Sequence, residues 1–179
     1  MMQLHKMPRA LATLLALLLV ACSARDHGRR PVDEKLVLTL EEARAWQHRA
    51  DVHLADSDVK SAIADVDEVL RVKFPADARE GEEARLDAWA RLAKLRVNLL
   101  DEAGALEAIA KGRAESARDS FYRAHLETVA GEIFEARGNR LASTDPAGAR
   151  AAREEALVDY GRAIEIDRRV QSALLEDRE

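Results

Sequence analysis

Glu132 and Glu135 stand one helical turn apart, the spacing a pair of catalytic carboxylates would use, because residues three apart on a helix project from one face. In a chain with 34% charged residues, that spacing ordinarily marks a solvated face, and no neighbouring residue gives either carboxylate a distinct role. The histidines are no better placed for shared chemistry. His5 precedes an apolar run, His27 lies in a polar stretch, and His125 stands apart; His48 and His53 are five apart and so fall on different faces of one helix. The chain has no Gly-rich phosphate loop, HExxH, CxxC or nucleophile elbow. The expectation is a protein that is not an enzyme and holds neither metal nor cofactor. One reactive residue remains, the lone cysteine Cys22, which has no partner for an intramolecular disulfide.

Cys22 directly follows an apolar run with the layout of a secretory leader: a basic start at Lys6 and Arg9, an apolar middle from Ala10 to Val20, and a small-residue exit. That middle is far shorter than the roughly 20 residues a membrane-spanning helix needs. Leu19-Val20-Ala21-Cys22 resembles the lipobox of bacterial lipoproteins. The resemblance implies diacylglycerol on the Cys22 sulfur, cleavage before it and an acyl chain on the new amine, which together anchor stably where one chain would not. Ser23 follows, rather than the aspartate that retains lipoproteins at the inner membrane in similar families. The expectation is therefore a cell-envelope protein, lipid-anchored in the outer membrane and facing the periplasm. Removing the leader takes two basic groups and no acidic ones, so the formal charge shifts from −5 to −7, and nothing basic remains to attract nucleic acid.

Behind Cys22, residues 22–35 are polar, hold Gly28 and Pro31, and read as a flexible tether between the leader (1–21) and a domain over 36–179. The domain is rich in Ala and Leu and poor in aromatics, the make-up of helices. Its apolar spacing is helical nearly throughout and predicts six helices. The first starts at a capping box, Thr39-Leu40-Glu41-Glu42. The second carries Val59, Ala62, Ile63, Val66, Val69 and Leu70 and ends at Phe74-Pro75. The third runs over about 80–100 with Leu86, Trp89, Leu92, Ala93, Val97 and Leu100 inward, and the fourth stops at Gly112. The fifth stops at Gly138-Asn139, and the sixth starts at Asp145-Pro146 and presents Ala149, Ala152, Ala156, Tyr160, Ala163 and Ile164.

An internal repeat organises these helices. Trp46 and Trp89 are each followed by alanines four residues on (Ala50, Ala93) and sixteen residues on (Ala62, Ala105). Increments of four and seven then reach Val66 and Val69, and likewise Ile109 and Gly112; Ala156, Tyr160 and Ala163 repeat them. These residues resemble the tetratricopeptide repeat, with Gly131 taking the small position of a third unit whose second helix, 25 residues on at Ala156, implies an insertion in the third hairpin. The resemblance implies an all-α stack of about three helical hairpins, its small residues setting close helix contacts; the alternative is an irregular six-helix bundle.

In proteins that are similar, the first helices line a groove that holds a partner peptide or helix. Carried over, the groove positions are Gln47 and Asp51, then Asp87, Lys94 and Asn98, then Thr128, Glu132 and Glu135. Their mostly acidic character fits a partner with basic or amide-rich segments. The expected function is a membrane-anchored periplasmic adaptor that binds protein partners of the cell envelope, helping to assemble a complex such as a secretin, pilus or outer-membrane barrel. The alternative is a helical lipoprotein that binds a small ligand or metal.

Overall fold

The computed structural model describes residues 33–176, and the leader, Cys22 and most of the expected tether lie outside them. Among the described residues there are six helices and no strand: α1 (Glu34–Ala55), α2 (Val59–Arg71), α3 (Arg79–Asn98), α4 (Glu102–Glu115), α5 (Phe121–Leu141) and α6 (Pro146–Glu176).

The turns inside successive pairs share one device. Asp58, Asp101 and Asp145 each stand ahead of the second helix and accept a backbone N–H three residues on, from Ser61 (3.1 Å), Gly104 (2.9 Å) and Gly148 (2.9 Å). Each satisfies a donor that the first helical turn leaves free. In the first two turns a left-handed residue precedes the aspartate, Ser57 (φ 61) and Leu100 (φ 60). The chain closes there because Asp58 N–H donates to the His53 carbonyl and Asp101 N–H to that of Arg96. Leu100 thus lies outside α3 and is exposed, whereas the sequence spacing placed it inward.

The cap positions also reset the third register. Counting forward from Asp145 puts Ala149 where the first pair has Ala62 and the second has Ala105; counting back, with one residue fewer in this turn, Phe134 and Gly138 take the places of Trp46 and Ala50 and of Trp89 and Ala93. A Cβ on Gly138 would lie 3.1 Å from the Ala149 carbonyl oxygen, which marks the close small-residue approach of this pair. Gly131 and Ala156, expected to hold that place, sit two turns further from the loop, and the nearest atoms to a Gly131 Cβ are those of the Tyr160 ring, at 2.7 Å. The third pair therefore has no long insertion in its turn. Its extra residues lengthen α5 and α6 instead.

Other boundaries moved for physical reasons. Thr39 starts no helix, because α1 already runs from Glu34 and the Thr39 hydroxyl donates within it to the Lys35 and Leu36 carbonyls. Gly112 does not end α4. It lies inside the helix, where a Cβ would come within 2.8 Å of the Leu126 side chain, so the glycine lets α4 approach α5. Gly138 is likewise internal to α5, and on α6 the buried residue is Ile166 while Ile164 is exposed.

The helices pack mostly as sequential pairs, α1 with α2, α3 with α4 and α5 with α6. Between pairs, α2 and α1 meet α3, and α3 and α4 meet α5; no helix of the first pair packs against one of the third. The middle helix α3 therefore has neighbours on several sides, which explains its nearly all-round burial through Leu86, Ala88, Ala90, Leu92, Ala93 and Leu95. Leu86, Leu92, Ile109 and Leu126 fill the spaces that the alanines leave, at about 1.5–3 kcal/mol of burial each.

Arginines cross the junctions. Arg85 on α3 donates to the Leu70 carbonyl at the end of α2 (2.8 Å) and pairs with Glu115 on α4. Arg113 on α4 reaches Glu127 on α5 (2.5 Å) and Asp159 on α6 (2.7 Å), both almost fully buried. Arg140 on α5 returns to Glu102 on α4.

Candidate partner-binding cleft

Every second helix of the chain, α1, α3 and α5, contributes to one open cleft of about 350 Å³. Leu40, Ala43, Arg44 and Gln47 come from α1, Glu80, Glu83, Ala84 and Asp87 from α3, Tyr122 from α5, and Val69 of α2 reaches it from behind. The α3 residues recur at spacings of three and four, so they form one stripe along that helix. Helical geometry alone therefore aims three carboxylates at the cleft.

The expected groove residues divide. Gln47 and Asp87 line the cleft. Beside it, Arg91 on α3 spans to α1, its guanidinium donating to the Gln47 side-chain oxygen (2.6 Å) and to Asp51 (2.5 Å). Lys94 extends the same face towards α5 through Glu132, at 3.2 Å. Asn98 is exposed at the last turn of α3. The Thr128 hydroxyl turns back to the Ala124 carbonyl of its own helix (3.1 Å), and Glu135 accepts from the Tyr160 hydroxyl on α6 (2.7 Å). That bond commits Glu135 to holding the third pair together. Arg44, Glu80, Glu83, Arg91 and Tyr122 were missed in the sequence; the stripe at 80, 83, 84, 87 and 91 was its legible signal.

Electrostatics single out Asp87. Burial pushes its carboxyl above the ordinary range, against the pull of His125, Arg91 and Lys94. Those cations act at a distance, since Arg91 bonds Gln47 and Asp51, and Lys94 pairs with Glu132. Elsewhere around the cleft charges are matched: Arg44 with Glu41 (2.8 Å) and Arg79 with Glu83 (2.8 Å), a bond that raises the Arg79 guanidinium. Tyr160 is pushed up to about 12 by burial and by its bond to Glu135.

Among the described residues no group of three or more His, Cys, Asp or Glu side chains is placed to hold a metal ion, and no helix is long and apolar enough to cross a membrane. The class defined by this geometry is an all-helical domain of six helices with an open, charged cleft. Comparison with known proteins finds no matching family model, no matching curated protein and no matching solved structure.

Proposed function

We propose that this chain is a protein–protein interaction adaptor of the bacterial cell envelope, tied to the outer membrane by lipid on Cys22 and binding its partner along the face that α1, α3 and α5 share. The hairpins form a stack resembling tetratricopeptide repeats, in which each pair touches only its neighbours. One observation carries this reading: the first helices of all three pairs converge on a cleft open to solvent, its apolar wall set with charged side chains, rather than on an enclosed cavity in a core. Such a surface suits recognition of a segment of another protein, and its charges steer encounter with a partner of opposite sign. Assistance in assembling an envelope complex follows from the anchor and the cleft together.

Capture of partners from envelope extracts by the lipidated protein tests the adaptor, with a cleft-filling variant, Ala84→Leu, as the control. A partner held by the native chain and lost by the variant supports the reading; equal capture by both removes the cleft from it. The anchor has its own test. Labelled palmitate should enter the native chain and not Cys22→Ser, and label in the variant would refute lipidation at that sulfur.

A further inference from the structure

The cleft presents an unmet charge in a molecule that meets most of its charges. Asp87 is half-buried, yet it makes no hydrogen bond or ion pair: Arg91 is engaged by Gln47 and Asp51, Lys94 by Glu132 and Arg44 by Glu41, while His125, which also pulls on it, forms no bond with it. Two turns earlier on the same stripe Glu80 is also unpaired, since the adjacent Arg79 is taken by Glu83. Between these carboxylates the cleft wall is apolar, formed by Leu40, Ala43 and Ala84, and the Tyr122 ring closes the α5 side. A half-buried carboxylate that no protein donor serves gains a charge-assisted bond from an incoming charged N–H group.

We propose that this cleft seats an arginine or lysine side chain of the protein partner, its apolar stem lying on Leu40, Ala43 and Ala84 and its cationic head donating to Asp87, with Glu80 supplying a second acceptor. The charges and the shape agree on this occupant. A long side chain that is apolar along its length and cationic at its tip matches a trough with an apolar wall and carboxylates at intervals. An acidic side chain would meet Asp87 and Glu80 as like charges, and a purely apolar one would bury Asp87 further without a donor. The proposal rests on the adaptor reading and specifies what the partner must bring to this face.

The experiment is an amide-shift titration of the full-length chain with acetyl-Gly-Arg-Gly-amide, its lysine counterpart, its norleucine counterpart, and agmatine as a free guanidinium compound. Arginine or lysine peptide should shift the amides of Ala84, Asp87 and Tyr122, and the norleucine peptide should not. Asp87→Asn should weaken the peptide by about tenfold or more, as loss of one charge-assisted bond does, while leaving the melting temperature unchanged or higher. Ala84→Leu, which fills the trough while keeping both carboxylates, should block binding as a second variant. Equal shifts with norleucine, undiminished binding by Asp87→Asn or agmatine binding as tightly as the peptide would each overturn the proposal. A native chain that ignores the cationic peptides but still loses its partner on Ala84→Leu overturns the cationic occupant and leaves the adaptor standing.

Discussion

The first and third helix pairs both bury carboxylates, and they treat them differently. In the first pair, Asp65 on α2 is 4% exposed. One of its oxygens meets Arg49 at 3.1 Å, but that arginine side chain is 59% exposed. The other oxygen has no hydrogen-bond partner and lies 3.6 Å from the His53 ring. In the third pair, Glu127 and Asp159 are each 2% exposed and share Arg113, while Arg123 and Arg162 add further pairing. Desolvation lowers the Arg113 guanidinium, but Glu127 and Asp159 outweigh it and raise it. The same degree of burial thus leaves one acid served from the surface and two others served from within. A charge held by an exposed arginine retains solvent screening, whereas removing Arg113 takes from two buried anions the one donor they share and leaves them to Arg123 and Arg162.

The largest expected effect breaks this contrast at its stronger side. Arg113→Met should destabilise the protein by about 3–5 kcal/mol in urea unfolding, because Glu127 and Asp159 would remain buried without their shared donor. A loss below about 1 kcal/mol would show that the third pair does not depend on this link. Gly131→Leu is expected next, at about 1–3 kcal/mol, since any side chain there drives into the Tyr160 ring; an unchanged melting temperature would refute the close approach. In the first pair, Arg49→Ala should cost under about 1 kcal/mol, and a loss matching that of Arg113→Met would erase the distinction between the two pairs.

The smallest effect is read by pH. Tyr160 has a folded-state value of about 12, above its ordinary 10, so the contribution of the neutral hydroxyl is fully present below pH 10 and is lost as pH rises towards 12. Alkaline unfolding of Tyr160→Phe should lack that component, and a native-like loss of stability between pH 10 and 12 in this variant would assign it elsewhere.

The repeat shows how far sequence reasoning reached. Trp46 and Trp89 with their alanines located the first two pairs correctly, because tight helix crossings demand small side chains and the demand recurs at each crossing. The third pair misled because Gly131 and Ala156 are also small and also buried. Small size alone does not say whether a position faces a neighbouring backbone or makes room for a ring. Asp58 and Asp101 would have resolved it, since together with Asp145 they mark all three turns, but only Asp145 carried the adjoining proline that made its cap conspicuous. Gly112 and Gly138 misled in the same way. Glycine is common both after a helix and at a close crossing, and the two uses look alike along a chain.

Of the candidate cleft, the face was legible and its pairing was not. Gln47, Asp51, Asp87, Lys94 and Glu132 were carried over from the resemblance, and Gln47 and Asp87 line the cleft, but Glu135 and Thr128 are claimed by bonds that no spacing shows. Local chemistry determined the all-helical character, the order of the six helices and the stripe of carboxylates along α3, because propensity and the period of the helix act over a few residues. Tertiary packing alone decided which arginine serves which acid. Those partners lie up to 50 residues apart, as in Arg169 and Asp119, and they meet only where folded helices bring them within hydrogen-bond reach. The same packing left Asp87 without a hydrogen bond or ion pair on the wall of the open cleft.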